Sequence, residues 1–290
     1  MRHLAPLAAL IALLAGAPAL AADTTHVETV TSPAWVVRNG VRGPMAPGQP
    51  LDTGATVVTG PEARVVLRLG DGSTVKLGEN ARFFVAEASR QEAGGVFQAT
   101  LRVLTGAFRF TTAAVAKVTG KRDVTIRLPT VTAGIRGTDL WGKATDDREF
   151  IALIEGRIGV KRDGGEEVVL DRPLSLFDAP RGAPTPPVGT LEATLLARYA
   201  QETEVQKNSG ALTGGRWKVE VLATADEREA LAAYDRLREA GYPAIIDPRG
   251  RGAAVRYRVR IAGLEDSAEA GALALRLGKN LGFPGVSVTR

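Results

Sequence analysis

The sequence predicts two domains of different class, an all-β sandwich or roll over residues 31–178 and an α+β domain over residues 215–290. Three observations lead there. Short alternating runs, broken by turn residues about every 8–12 positions, fill the first part and carry little helical period. Pro180, Pro184, Pro186 and Pro187 then crowd one stretch. From Arg216 onward the pattern becomes strands interleaved with two amphipathic helices that open on capping residues.

Before either domain comes a leader. Met1-Arg2-His3 is a short basic start, Leu4 to Ala15 an apolar run, and Pro18-Ala19-Leu20-Ala21 a small-residue cleavage site, which places cleavage after Ala21. The run is shorter than the about 20 apolar residues that span a bilayer. A signal peptide over residues 1–21 and an exported, periplasmic chain with no membrane span are therefore expected.

Composition then narrows the chemistry. The 290 residues hold 37 Lys+Arg, 32 Asp+Glu, two His and no Cys. Without Cys there is no disulfide framework, thiol nucleophile or thiolate metal site. His3 leaves with the leader, so a Ser-His-Asp triad or a His metal centre would rest on His26 alone. No cofactor is expected. Losing Arg2 brings the formal charge from +5 to +4, too mild to imply nucleic acid or membrane by itself.

In the first domain Ala63, Val65, Leu67 and Leu69 alternate with Arg64, Val66 and Arg68, the period of a half-buried strand. Asp71-Gly72-Ser73 turns that strand into Val75-Lys76-Leu77, a hairpin signal. The runs at 101–103, 108–110, 124–128 and 151–154 repeat the theme between Gly106, Gly120, Gly134, Gly156 and Gly159. Residues 179–214 read as a Pro-rich, stiff tether that gives reach, with one helix over 191–206 carrying Leu191, Leu195 and Tyr199. Asn208-Ser209-Gly210 and Gly214-Gly215 read as flexible punctuation.

In the second domain Trp217-Lys218-Val219-Glu220-Val221 alternates as a strand. Thr224-x-x-Glu227 is a capping box for a helix with Leu231, Tyr234 and Leu237 on one face, stopping at Gly241. Strands over 244–247 and 255–261 follow, then a second capping box, Asp266-x-x-Glu269. Its helix is lined by Ala270, Leu273, Ala274 and Leu277, and Val286-Ser287-Val288 closes the chain. The order βαββαβ is that of a ferredoxin-like sandwich with both helices on one face.

Helices on one face leave the other open. Val255, Tyr257, Val259 and Ile261 should meet the helices, which turns Arg256, Arg258 and Arg260 outward together. Lys218 and Glu220 share that surface, and Arg249 and Arg251 extend it. A row of outward charges is ordinarily a solvated face. Three Arg in register also repel one another unless an anion lies across them. RNA-binding sheets of this topology show aromatics on the open face, whereas Tyr257 and Trp217 fall inward here, so no nucleic acid is expected.

Two resemblances sharpen the expectation. Arg216-Trp217-Lys218-Val219-Glu220-Val221, the Gly241-Tyr242 step and Tyr257-Arg258-Val259-Arg260-Ile261-Ala262-Gly263-Leu264 make residues 215–290 resemble the SPOR (sporulation-related repeat) domain. That resemblance implies binding of peptidoglycan glycan strands stripped of their stem peptides, through the open sheet face. Arg258 matches the family's frequent Arg in the third strand, while Glu220 stands where Gln is common and Ala223 where Ser is common. Stripped strands carry a free lactyl carboxylate on each muramic residue, which Arg can grip in bidentate fashion. The expected glycan site is Arg258 with Arg256 and Arg260 on carboxylates, and Lys218 and Glu220 on sugar hydroxyls.

Residues 35–160 resemble the FecR-like periplasmic domain. The segment Leu128-Pro129-Thr130-Val131-Thr132-Ala133-Gly134-Ile135-Arg136-Gly137-Thr138-Asp139-Leu140 carries most of that resemblance, with Leu51-Asp52-Thr53-Gly54 and Leu69-Gly70-Asp71-Gly72-Ser73 in support. Arg136 and Asp139 are read as an internal pair fixing a strand corner; a ligand site, which Gly134 and Gly137 would admit, is the alternative. The family namesake signals through a membrane helix and a cytoplasmic segment; neither is read in this chain, so that mechanism is not carried over.

The function expected is that of a non-catalytic periplasmic protein whose SPOR-like domain docks a FecR-like domain where the wall is remodelled. Its partners would be glycan strands and an envelope protein for the FecR-like domain. The alternative is a signalling or scaffold protein whose C-terminal domain binds protein. A carboxylate-based hydrolase would need pairs such as Asp71 with Glu79 or Asp139 with Glu155, which read equally well as ordinary turn and strand charges.

Overall fold

The computed structural model describes residues 24–90, 96–119 and 122–290. The expected leader lies outside the described residues. Among these, no helix is long and apolar enough to cross a membrane. The fold is mostly antiparallel β with few helices.

The first domain opens with β1 (His26–Thr31), β2 (Ala34–Arg38), β3 (Val41–Pro44), β4 (Thr56–Thr59), β5 (Arg64–Arg68) and β6 (Thr74–Leu77). Then come β7 (Arg82–Arg90), the long β8 (Phe97–Thr111), a short α1 (Ala114–Thr119), β9 (Arg122–Arg127) and β10 (Val131–Ile135). β11 (Asp139–Ala144), β12 (Arg148–Glu155), β13 (Ile158–Arg162), β14 (Glu167–Leu170) and β15 (Ser175–Pro180) complete it. The hairpin expected at Asp71-Gly72 joins β5 to β6, with Leu67 opposite Val75, and the Ser73 N–H donates to Asp71 Oδ1 at 2.9 Å.

Two sheets share β8. Its first half pairs with β7 and, in parallel, with β9; its second half pairs with β6 and β11. The strand changes sheet at Gly106, whose φ of +92° suits only glycine and whose absent Cβ lets Ala81 Cα approach to 2.5 Å of that position. One continuous apolar core lies between the sheets, with Phe83, Phe97, Phe108, Phe110 and Phe177 among its fully buried side chains. Burying such a ring contributes about 1.5–3 kcal/mol.

The segment 179–214 departs from the tether expected. It lies along the first domain through β16 (Gly189–Thr190), which pairs with β15, and α2 (Ala193–Gln201). Arg162 holds it by donating to the carbonyls of Pro180 and Ala183 at 2.7 and 2.6 Å. Tyr199 on α2 stacks on Trp141 with ring centroids 4.8 Å apart. Lys143 pairs with Glu202 at 2.8 Å, and Arg109 with Glu204 at 3.0 Å. Proline stiffness here serves docking, since a pre-extended chain loses little entropy when laid on a surface.

The second domain comprises β17 (Ala211–Thr224), α3 (Glu227–Glu239), β18 (Ala244–Arg249), β19 (Arg256–Leu264), α4 (Ser267–Leu281) and β20 (Ser287–Thr289). β19 lies between β17 and β18, and β20 lies on the far side of β17. Both helices bring apolar residues to the core formed with Val219, Val259 and Ile261. On α3 the buried residues are Ala230, Ala233 and Leu237, while Leu231 is 45% exposed. The expected stripe is thus rotated, because two alanines let the helix sit close to the sheet.

Both expected capping boxes are reworked. α3 starts two residues later than the Thr224 box implies, capped by Asp226, which accepts from Arg228 N–H at 2.9 Å. Asp266 caps α4 as expected, accepting from Glu269 N–H at 2.8 Å. The Glu269 carboxylate does not reach back to its own helix. It accepts instead from the N–H groups of Asn208, Gly210 and Ala211 at 2.7, 2.7 and 2.9 Å. The Asn208-Ser209-Gly210 turn is therefore held, not loose.

Tyr242, 2% exposed, sits in this second core. Burial pushes its phenol above the ordinary value, an effect that Arg276 opposes and Glu62 adds to. Unfolding restores a phenol that ionises near pH 10, so stability is full below about 10 and falls as pH rises beyond it. Urea midpoints between pH 9 and 11 should fall more steeply for the wild type than for Tyr242→Phe. Parallel slopes would contradict this account.

Candidate functional site

The open face of the second domain takes its register from β19. Val259 and Ile261 are fully buried, which by strand alternation turns Arg258 and Arg260 to the other side, with Arg256 exposed at the strand's start. On β17, Glu220 stands opposite Arg260 and Lys218 opposite Ala262. On β20, Ser287 and Thr289 are the neighbours of Glu220 and Lys218. The five residues singled out from sequence thus share one sheet face.

Their pairing differs from a simple row of free cations. Arg258 Nε donates to Glu220 Oε2 at 2.5 Å. Asp247 on β18, cross-strand from Arg258, accepts from Arg260 Nη2 at 2.9 Å and pairs with Arg249 at 3.1 Å. Sequence reasoning gave this surface one carboxylate, and Asp247 is a second. Its alternation with Ile245 and Arg249 along β18 was the available signal. Glu220 takes one edge of Arg258 and Asp247 is shared between Arg249 and Arg260, while Arg256 and Lys218 have no ion-pair partner among the described residues. The face remains strongly positive, and its cations are pre-oriented by the acids they already hold.

A bulge between Glu220 and Leu222 adjusts the rest of β17. Leu222 falls opposite Val259 and packs on the core, so Ala223 comes opposite Arg258. Contacts with the first domain lie on the other side of the sheet, through α3, α4 and the start of β17. Trp35 Nε1 donates to Glu239 O at 3.2 Å, Arg276 Nη1 donates to Ser32 O at 2.8 Å, and Val30 pairs with Leu212. The basic face points away from that joint.

In the first domain the expected Arg136–Asp139 pair does not form. Asp139, only 9% exposed at its side chain, is gripped by Arg109 through Nε at 3.0 Å and Nη2 at 2.7 Å. The two face each other across β8 and β11, where Trp141 is opposite Arg109. Burial and opposite charge explain the choice, since Arg109 is raised above its ordinary pKa by its hydrogen bonds to Asp139. Arg136 is exposed instead. Among the carboxylate pairs weighed for hydrolysis, Asp139 does lie opposite Glu155, but Glu155 is bound to Lys117 at 2.7 Å. Asp71 is bound to Arg122 at 3.3 Å, and Glu79 accepts from the Glu62 N–H at 2.7 Å. Among the described residues no group of three or more His, Asp or Glu is placed to hold a metal ion.

Comparison with known proteins finds two family matches along the chain. Residues 55–159 match the FecR protein family and residues 213–289 match the SPOR domain. No curated protein matches the chain. Two crystal structures of a proposed anti-sigma factor from Parabacteroides distasonis are similar at 11% and 12% identity. They cover 78% of this chain and 92% and 91% of their own, each with a TM-score of 0.41.

Proposed function

We propose that this chain, a FecR domain joined to a SPOR domain, is a non-catalytic periplasmic envelope protein that binds peptidoglycan glycan strands lacking stem peptides. The observation that carries the reading is the file of Arg256, Arg258 and Arg260 on an uncovered sheet face, beside Lys218. Exposed lactyl carboxylates recur along a stripped strand and meet that file in sequence. With Nε of Arg258 occupied by Glu220, its terminal nitrogens are left to grip a carboxylate. Glu220 thereby acts chiefly by orienting Arg258, and Lys218 reaches sugar hydroxyls. The docked 179–214 segment makes the SPOR domain a mount that carries the FecR domain to sites of wall remodelling, presenting it to an envelope partner.

Cosedimentation of the full mature chain with sacculi, before and after an amidase removes stem peptides, tests this directly. Binding should strengthen on stripped material, weaken with added salt, and drop about tenfold in Arg258→Ala. Equal affinity for both preparations, or an unaffected Arg258→Ala, would overturn the assignment. Failure to bind either would move a protein partner for the same face into first place.

A further inference from the structure

The outer face of β9, β10, β13 and β14 carries an open groove of about 1590 Å³. Its construction follows from register. Gly134 on β10 stands directly opposite Gly159 on β13 and Thr125 on β9, a low row across three strands. Two residues away on one side, Lys161, Thr132 and Arg127 form the next row; on the other side Arg136 and Arg157 follow the paired Ile135 and Ile158. The cationic rows are separated by four residues of extended chain, about 13 Å at 3.3 Å per residue. Arg127, Arg136, Arg157 and Lys161 are exposed and have no ion-pair partner among the described residues.

Arg122 borders the groove at the start of β9, but it registers beside buried Phe97 and shares the parity of Val124 and Ile126, so its side chain, only 4% exposed, turns inward over the Phe110 ring. One terminal nitrogen reaches Asp71 at 3.3 Å, while Nε and the other terminal nitrogen have no hydrogen-bond partner. Burial lowers its pKa. Its pairing with Asp71 belongs to the joint between the sheets and leaves the groove to the four exposed cations. Added Cβ atoms show where the floor is open: at Gly134 one meets nothing within 4 Å, whereas at Gly159 it would lie 2.5 Å from Glu167 Oε1. Glu167 therefore closes the β14 end, and the open floor is centred on Gly134.

We propose that this groove binds a carboxylate-bearing, β-linked polysaccharide chain lying across the strands. The groove floor is the face of these strands, where β9, β10 and β13 have their main-chain groups engaged in ladders on both sides, so an extended peptide could pair only along the β14 edge, away from the floor at Gly134. A β-1,4-linked chain turns each ring over relative to the last and so presents its acid groups alternately to two sides. That matches cations on both flanks of a smooth floor, and a pyranose is about as long as one step between strands. This site is independent of the SPOR face.

The probe is polymannuronate, a β-1,4-linked polymer with one carboxylate per ring, titrated into the full mature chain carrying Arg258→Ala to weaken the other face. Binding is expected, and Arg136→Ala/Arg157→Ala should weaken it about tenfold. Gly134→Phe, which fills the floor without touching charge, should weaken it equally, and Glu167→Gln should strengthen it about threefold. All four positions are exposed, and unchanged melting temperatures check that the variants fold. Absence of binding overturns the proposal. So does an unaffected Gly134→Phe, which would mean charge attraction without a groove, or equal affinity for poly-L-glutamate, which would point to an acidic protein segment.

Discussion

Gly215→Ala is expected to destabilise the SPOR domain by about 3 kcal/mol or more and to disorder its basic face. Leu212 and Trp217 both register with Leu264, so residues 213–216 bulge out of β17 as the chain crosses from one domain to the next. A Cβ on Gly215 would lie 2.1 Å from Leu264 O and 2.6 Å from Glu265 Cα. Both obstacles are backbone, so no rotamer change relieves them. β17 must separate from β19, and that pairing sets Glu220 against Arg258 and Arg260. The urea midpoint should fall sharply, and glycan binding should fall with it even though no side chain of the face is altered. A wild-type midpoint would show that the strand accommodates the methyl group and that the bulge is not fixed by this contact.

What was legible in the sequence was whatever depends on period and local chemistry. Alternation alone separated Arg256, Arg258 and Arg260 from Val259 and Ile261, and Asp71-Gly72 announced its hairpin. Features that depend on which strand lies next to which were hidden. Asp247 pairs with Arg260 only because β18 takes a particular register on β19, and Asp139 finds Arg109 on a strand thirty residues earlier. Chain proximity had suggested Arg136, which the topology turns to solvent. The linker misled for a related reason. Its prolines describe stiffness correctly, but its docking is written elsewhere, in Arg162, Trp141 and Glu269. The groove on β9, β10, β13 and β14 needs four strands in order before Gly134 and Gly159 meet.

Gly241→Ala is the second large effect, and it tests whether the two domains form one rigid piece. Gly241 ends α3 with φ +83°, where alanine costs about 1 kcal/mol in backbone strain alone. Its added Cβ would fall 2.7 Å from Cε2 of Trp35 and 3.0 Å from Ala34 N, both in the other domain. Trp35 has little room to yield, since Arg42 lies over its ring at 3.7 Å and its Nε1 donates to Glu239 O at 3.2 Å. Strain and overlap together should cost about 3 kcal/mol. The Trp35→Ala background isolates the joint, because removing the ring removes the main overlap and leaves the strain. The Gly241→Ala penalty should then shrink to about 1 kcal/mol, a coupling that only contacting residues show. Additive penalties would mean that Trp35 does not press on α3, and the SPOR domain would then carry its FecR partner on a loose joint instead of a fixed one.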